Sequence, residues 1–218
     1  MDPDSLALAP HFKSWLNKIP IKMLERKTIA SVLQKYYDLY IDDLVYFLKT
    51  KLQEPVPSVK NNLIDSCCRI MDCFFVDYDE IGIKKVTPEE IEEAEKNIPN
   101  YFSFAVIWSV CATCGAESRD AMDLHVKELM QKGGIEFPNE GKIYDYAFIQ
   151  KEKVWKPWRD LLEKFELDTK RNYIDVMVPT VDSIKSTFII KMLTLNNKHV
   201  LTVGPTGTGK SVNINELL

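Results

Sequence analysis

The chain has 218 residues, and its hydrophobic content of 45% is typical of a globular protein with one large domain or two small ones. Its formal net charge of −4 and its lack of a long basic run argue against binding to nucleic acid or to anionic lipid. The longest apolar stretch, residues 101–112, is too short to span a bilayer, and the N-terminus lacks the charged-then-apolar pattern of a signal sequence. We therefore expect an intracellular protein that has neither nucleic acid nor membrane as a partner.

The five cysteines agree with that compartment. Cys67, Cys68 and Cys73 fall within a helical pattern, where thiols behave as small hydrophobic side chains. Cys111 and Cys114 have the spacing of a redox pair or of half a zinc site, but a second Cys or His pair is lacking at the required distance. Reduced structural thiols are the better interpretation.

The first two-thirds of the chain shows the three-and-four spacing of helices. This pattern runs through residues 28–52 and ends at two prolines, after which Ser58 is expected to cap a second helix. The sequence Thr87-Pro88-Glu89-Glu90 is a strong helix start, with a threonine cap and a glutamate three residues later.

Two further helices are predicted before the character of the sequence changes. Residues 101–111 are apolar on nearly every side, which indicates a buried helix and a core position for Trp108. Residues 116–132 are amphipathic and end at two glycines. His125 lies in this helix without a second ligand or a nucleophile nearby in sequence, so we assign it no catalytic role.

From about residue 135 the pattern is mixed. Residues 142–150 and 153–155 predict a hairpin rich in aromatic side chains, and residues 157–165 predict a short helix. Strand-like residues 173–178 and a helix over 181–196 follow. We predict three units: a helical unit over residues 1–135, an aromatic hairpin and connection over 136–170, and the start of an α/β unit over 171–218.

A complete P-loop follows, preceded by the β-rich residues 199–203 and followed by residues 212–218, which can form a helix. In such a loop, backbone N–H groups hold phosphate oxygens, and glycines let the backbone approach without a clashing Cβ. Lys210 would reach the β- and γ-phosphates, and the Ser211 hydroxyl would bind Mg²⁺. The eight residues are Gly204, Pro205, Thr206, Gly207, Thr208, Gly209, Lys210 and Ser211.

Hydrolysis needs more than this loop. It requires a second carboxylate on a later strand, a group that orients water and usually an arginine finger. Seven residues follow Ser211, and they do not supply these groups. We expect this chain alone to bind nucleotide weakly and not to hydrolyse it. A small kinase or GTPase is disfavoured, because those enzymes place the P-loop near the N-terminus.

The chain resembles the dynein heavy chain family at landmarks that span almost its whole length. Residues 178–183, the helix after them and residues 200–211 resemble the start of the family's third AAA module. Residues 14–17, 104–109 and 137–146 resemble the helical small subdomain of the second module and its connection to the third. The P-loop is common to many NTPases, whereas the order of these landmarks is specific to the family. The sequence as a whole resembles axonemal heavy chains more closely than cytoplasmic ones.

This resemblance implies a mainly α-helical subdomain followed by the truncated start of an α/β P-loop (AAA+) module. It implies ATP and Mg²⁺ as cofactors, with Val178, Pro179 and Thr180 bounding the adenine. It also implies that the chain starts and stops inside a longer protein, a minus-end-directed microtubule motor whose third module has a regulatory ATP site. The direct partners would be other AAA modules of the same heavy chain.

Through the parent protein, the resemblance implies microtubules and dynein subunits as partners. The implied location is the cytoplasm and cytoskeleton, in particular the axoneme of a cilium. Aromatic side chains would cover the seam between modules, namely Tyr144, Tyr146, Phe148, Trp155 and Trp158. A different class of function stays open: a short helical scaffold or interaction product whose P-loop does not function.

Overall fold

The structure, a computed structural model, describes residues 8–20, 27–78, 85–162, 178–203, 207 and 209–215. Within these ranges the chain forms seven α-helices and a single two-stranded antiparallel sheet. The helices are α1 (Leu8–Leu16), α2 (Lys27–Lys51), α3 (Lys60–Phe75), α4 (Pro88–Ser109), α5 (Arg119–Gly133), α6 (Val181–Leu195) and α7 (Lys210–Asn215). The strands are β1 (Tyr146–Ile149) and β2 (Val154–Pro157).

Helix α4 is the centre of the fold. Its second half is apolar on nearly all sides, and residues 101–107 are buried. Helices α2 and α3 pack against it, α1 packs against α3, and α5 packs against α2. The predicted helices over 28–52, 101–111 and 116–132 are confirmed, and the second is the C-terminal part of one longer helix that contains Pro99.

The predicted start of α4 is confirmed in atomic detail. The backbone N–H of Glu90 donates to the Thr87 hydroxyl at 3.3 Å, and the Thr87 N–H donates to the Glu90 carboxylate at 2.7 Å. This is a reciprocal capping box, which satisfies two backbone donors that the first turn of a helix leaves without partners.

The prediction that Ser58 caps α3 is wrong. The N-cap is Val59, which offers no side-chain hydrogen bond. Ser58 instead donates from its hydroxyl to Glu54 and accepts from the Lys49 ammonium at 2.9 Å. Lys49 also bonds Glu54 at 2.6 Å, so a charged pair competes successfully for the hydroxyl that the sequence pattern assigned to the helix end.

The predicted hairpin is confirmed with shorter strands. Tyr146 pairs with Pro157 and Ile149 pairs with Val154, while residues 143–145 before β1 form a 3₁₀ turn. The predicted helix over 157–165 is seen as a 3₁₀ helix at Trp158–Leu161, and residues 163–165 lie outside the described residues. The strand predicted over 173–178 falls almost entirely outside them as well.

The hairpin belongs to the same hydrophobic core as the helices. We expected five aromatic side chains in and beside the hairpin to cover a seam between modules, but Tyr144, Phe148 and Trp158 are buried in this core. Phe148 packs edge-on against Tyr101 of α4, with ring centroids 5.6 Å apart. These side chains fill the space between α4 and the hairpin. A sheet of two strands is marginally stable alone, and this packing stabilises it.

Helix α5 ends at Gly134, whose φ of 69° and ψ of 29° are left-handed. Its N–H bonds back to the carbonyls of the last turn. No helix in the described parts of the chain combines the length and the apolar character needed to cross a bilayer.

Candidate functional site

The candidate site begins at residues 178–180, which precede α6. Thr180 is the N-cap of that helix: the Ser183 N–H donates to its hydroxyl at 3.1 Å, and its own N–H donates to the Ser183 hydroxyl at 2.9 Å. The Thr180 side chain is therefore occupied by helix capping. Of the three predicted adenine residues, Val178 presents an exposed apolar side chain, and Pro179 is half-buried.

Helix α6 connects the helical core to the P-loop, and the predicted helix over 181–196 is confirmed. It lies against the core through Phe188, which packs edge-on against Trp158 with ring centroids 5.2 Å apart. The same ring lies 6.2 Å from Phe104 of α4. One face of α6 is thus fixed by aromatic contacts that cross from α4 and the hairpin.

Residues 198–203 lead from α6 to the loop. The sequence predicts a short strand here, but these residues form no regular secondary structure. A strand is stable only when a neighbour completes its hydrogen bonds, and no described residue pairs with this segment. Leu201 and Val203 accordingly stand 86% and 62% exposed.

Two glycines of the P-loop lie within the described residues. Gly207 has a φ of 83° and Gly209 a φ of 74°, both in the left-handed region that side chains with a Cβ rarely adopt. A Cβ built at either position would meet no atom within 4 Å, so the backbone conformation, not crowding, requires glycine. The predictions for Gly204, Pro205, Thr206 and Thr208 fall on residues outside the described ranges.

Lys210 and Ser211 occupy the first turn of α7, directly after these glycines. Lys210 is half-buried and Ser211 is exposed. Helix α7 lies against α6, so Lys210 and Ser211 are held beside the helix that packs on α4. A left-handed glycine turn that runs into a helix beginning with Lys and Ser is what a phosphate-binding loop requires.

One contact between residues far apart in sequence joins the core to the segment before the loop. The Lys198 ammonium donates to Asp72 of α3 at 2.6 Å, and the Trp15 indole N–H of α1 donates to the other oxygen of that carboxylate at 2.6 Å. No local pattern indicates this contact, because 126 residues separate Lys198 from Asp72.

The side chains of His125 and of the five cysteines make contacts within the helical core. His125 bonds Asp43 and stacks on Phe47 with ring centroids 4.1 Å apart, which fits its position between α2 and α5. All five cysteines are buried and free. Burial raises the pKa of the Cys67 thiol to about 12 and that of Cys73 to about 11, so both are protonated at neutral pH. Among the described residues, no three His, Cys, Asp or Glu side chains lie close enough together to hold a metal ion.

Both parts of the chain match known protein families. Residues 33–160 match the family described as the dynein heavy chain AAA lid domain, and residues 165–218 match the P-loop containing dynein motor region. The first match covers most of α2, all of α3 to α5 and the hairpin, and the second covers the site.

Individual curated proteins are similar to the chain over all or nearly all of its length. The chain is 28% identical to mouse dynein axonemal heavy chain 1 over all of its length, which covers 6% of that protein. It is 30% identical to mouse dynein axonemal heavy chain 2 over 94% of its length and 28% identical to human dynein axonemal heavy chain 9 over 97%, in each case 4% of the relative. The lid match spans more than half of the chain, and a mainly helical lid followed by the start of a P-loop region is the fold observed: the chain belongs to the dynein heavy chain family.

Proposed function

We propose that this chain contributes part of a regulatory ATP site to a dynein motor. In this proposal its helical part is the small subdomain of the second AAA module, and residues from about 171 onward begin the third. The observation that carries it is the pair of left-handed glycines, Gly207 and Gly209, directly before a helix that begins with Lys210 and Ser211.

These residues fit a nucleotide with Mg²⁺. Open space around both glycines leaves room for phosphate oxygens to approach the backbone. Lys210 would supply a positive charge to the β- and γ-phosphates, and the exposed Ser211 hydroxyl would bind Mg²⁺. The exposed Val178 and the neighbouring Pro179 would offer an apolar edge to adenine. The remaining groups for hydrolysis would come from parts of the module outside these residues.

We also propose a role in packing between modules. Phe188 of α6 lies against Trp158 and Phe104, so the helical lid and the start of the P-loop unit share an aromatic contact. In the proposed division of the chain into a helical unit (1–135), a hairpin and connection (136–170) and a P-loop unit (171–218), this contact joins all three units. Relative rotation of such blocks would carry the nucleotide state to other modules of the same heavy chain.

For the whole protein we propose a microtubule motor ATPase of the cytoskeleton. Other dynein subunits and microtubules would be its partners, and the axoneme of a cilium would be its location. The names of the relatives, which are axonemal heavy chains, support that location.

The test is a titration of the protein with a fluorescent ATP analogue, with and without Mg²⁺. We expect Lys210→Ala to weaken binding at least tenfold, because a charge-assisted contact to phosphate is lost. Ser211→Ala should remove most of the gain in affinity that Mg²⁺ gives. A matched control is Lys191→Ala, which removes an exposed lysine of α6 and should leave the affinity unchanged. Equal affinity in the wild type and Lys210→Ala would contradict the phosphate-binding role.

A helical scaffold with a non-functional loop is the second candidate. The helical core favours it, because every buried core side chain among the described residues lies in α1 to α5, in the hairpin or in the segments next to them, and α6 packs against that core with half-buried side chains. The same titration separates the two: a scaffold would show no Mg²⁺-dependent binding and no effect of either loop substitution.

A further inference from the structure

We propose that Asp72 is a positioning residue for the phosphate-binding loop, because its carboxylate ties the helical core to the segment that leads into the loop. The link to nucleotide rests on the function proposed above. The tie itself can be tested without nucleotide.

The two oxygens of Asp72 contact two different elements. Oδ1 accepts from the Trp15 indole N–H of α1 at 2.6 Å, and Oδ2 accepts from the Lys198 ammonium at 2.6 Å. Both are charge-assisted bonds, which are shorter and stronger than bonds between neutral groups. Because Trp15 holds one oxygen, the carboxylate has a fixed orientation in which the other oxygen faces Lys198.

The end of α6 fixes Lys198 from the other side. Asn197 adopts a left-handed φ of 55°, its N–H donates to the Thr194 carbonyl at 3.0 Å, and the Lys198 N–H donates to the Leu193 carbonyl at 2.9 Å. These two bonds are the Schellman pattern, in which a left-handed residue turns the chain sharply away from the helix axis. The turn therefore fixes the backbone of Lys198, and Asp72 holds the ammonium group at the other end of the side chain.

The surroundings of the Asp72–Lys198 ion pair let it hold the segment and also let it break. The side chains of Asp72 and Lys198 are 34% and 28% exposed, so solvent screens the pair only in part. The pair borders a cavity of about 560 Å³, whose wall includes Phe75 and Asn196. Water can enter such a space and replace the ammonium at the carboxylate when the segment moves.

The position of Lys198 connects the tie to the loop. It lies six residues before Gly204, and a chain of that length spans at most about 21 Å. No described residue pairs with residues 199–203 as a strand, and Leu201 is exposed. Release of Lys198 would therefore let the segment that enters the loop change its distance from α3.

The test measures that distance in the 218-residue chain by pulsed electron spin resonance. Spin labels are placed at Ser66→Cys, on the exposed side of α3, and at Leu201→Cys, while the five buried native cysteines stay unlabelled. We expect one narrow distance distribution, which becomes at least twice as broad in Asp72→Asn and in Lys198→Met. The double variant should be no broader than either single one. Lys191→Met, which removes an exposed lysine of α6, should leave the distribution unchanged.

The outcomes separate positioning from simple stabilisation. If Asp72→Asn lowers the melting temperature but leaves the distance distribution unchanged, Asp72 has only a structural role and the proposal is wrong. A double variant whose broadening exceeds that of both single variants would also overturn it, because the two side chains would then act independently.

A second step adds Mg·ATP to the same proteins. We expect Asp72→Asn to weaken binding at least threefold although it lies outside the loop. If the wild-type chain binds no ATP, the proposed function fails while the distance measurement still decides the tie. If ATP binds equally well to both proteins, the tie does not position the loop for nucleotide.

Discussion

Gly134, which follows the last residue of α5, and Gly115, which lies four residues before its first, show what a single residue contributes. Gly134 is left-handed, with a φ of 69°, and a Cβ there would meet no atom within 4 Å. Gly115 has a φ of −65° and a ψ of 161°, which any residue adopts, and a Cβ there would make only ordinary contacts, the nearest at 3.5 Å. Both positions have room for a Cβ, so the difference that matters is the backbone conformation.

We therefore expect Gly134→Ala to lower the free energy of unfolding by about 1 kcal/mol, because an L residue is strained in the left-handed region. Gly115→Ala is the matched control and should leave stability unchanged or raise it by about 0.4–1 kcal/mol, since it restricts the unfolded chain. Urea unfolding of both variants checks this. An equal loss in both would show that the left-handed conformation does not account for the loss at Gly134.

Single residues also show where sequence patterns are reliable. The pattern at Gly133-Gly134 predicted a helix end because the geometry involved is local. The same reasoning at Ser58 was wrong, since Lys49 and Glu54 bind its side chain. When a hydroxyl can bind either a helix end or a charged pair, its hydrogen-bond partner cannot be predicted from its neighbours in sequence alone.

At the scale of elements, α4 joins a local start signal to a buried centre. Its capping box depends only on Thr87 and Glu90, whereas its second half is enclosed by α2, α3 and β1. The start was predictable from four residues. The partners of the buried half were not, because an apolar surface indicates burial without indicating against what.

Thr87→Ala should lower the free energy of unfolding by about 1 kcal/mol, because the Glu90 N–H loses its acceptor. Thr87→Ser keeps the hydroxyl and is the control, with a loss well below that of the alanine variant. Thermal unfolding followed by circular dichroism measures both. If serine and alanine cost the same, the loss comes from the Thr87 methyl group and not from capping.

For the whole molecule, the position of the hairpin is the main finding that the sequence did not reveal. Tyr144 donates from its hydroxyl to the Cys111 carbonyl at 2.8 Å, and Phe148 and Trp158 are enclosed by side chains of α3, α4 and α6. These aromatic side chains complete the core that the helices begin.

A chain that ends at residue 135 is therefore expected to lose cooperative unfolding, while one that ends at residue 162 should keep it. The shorter chain exposes the apolar surface that Tyr144, Phe148 and Trp158 cover, and each such side chain contributes about 1.5–3 kcal/mol when buried. Calorimetry of the two chains is the measurement. A cooperative transition of the shorter chain near that of the longer one would show that the helices form a complete core by themselves.

The sequence by itself determined helices α2 to α6, the capping box, the helix end at Gly134 and the motif that identifies the phosphate-binding loop. All of these depend on residues within a few positions of one another, where backbone geometry and hydrogen bonding act directly. The tertiary structure alone decided that the hairpin lies in the core, that residues 199–203 stay unpaired within the described parts of the chain, and that Asp72 meets Lys198. Those features depend on which distant surfaces meet, and the free energy of such contacts has no signature in the local order of residues.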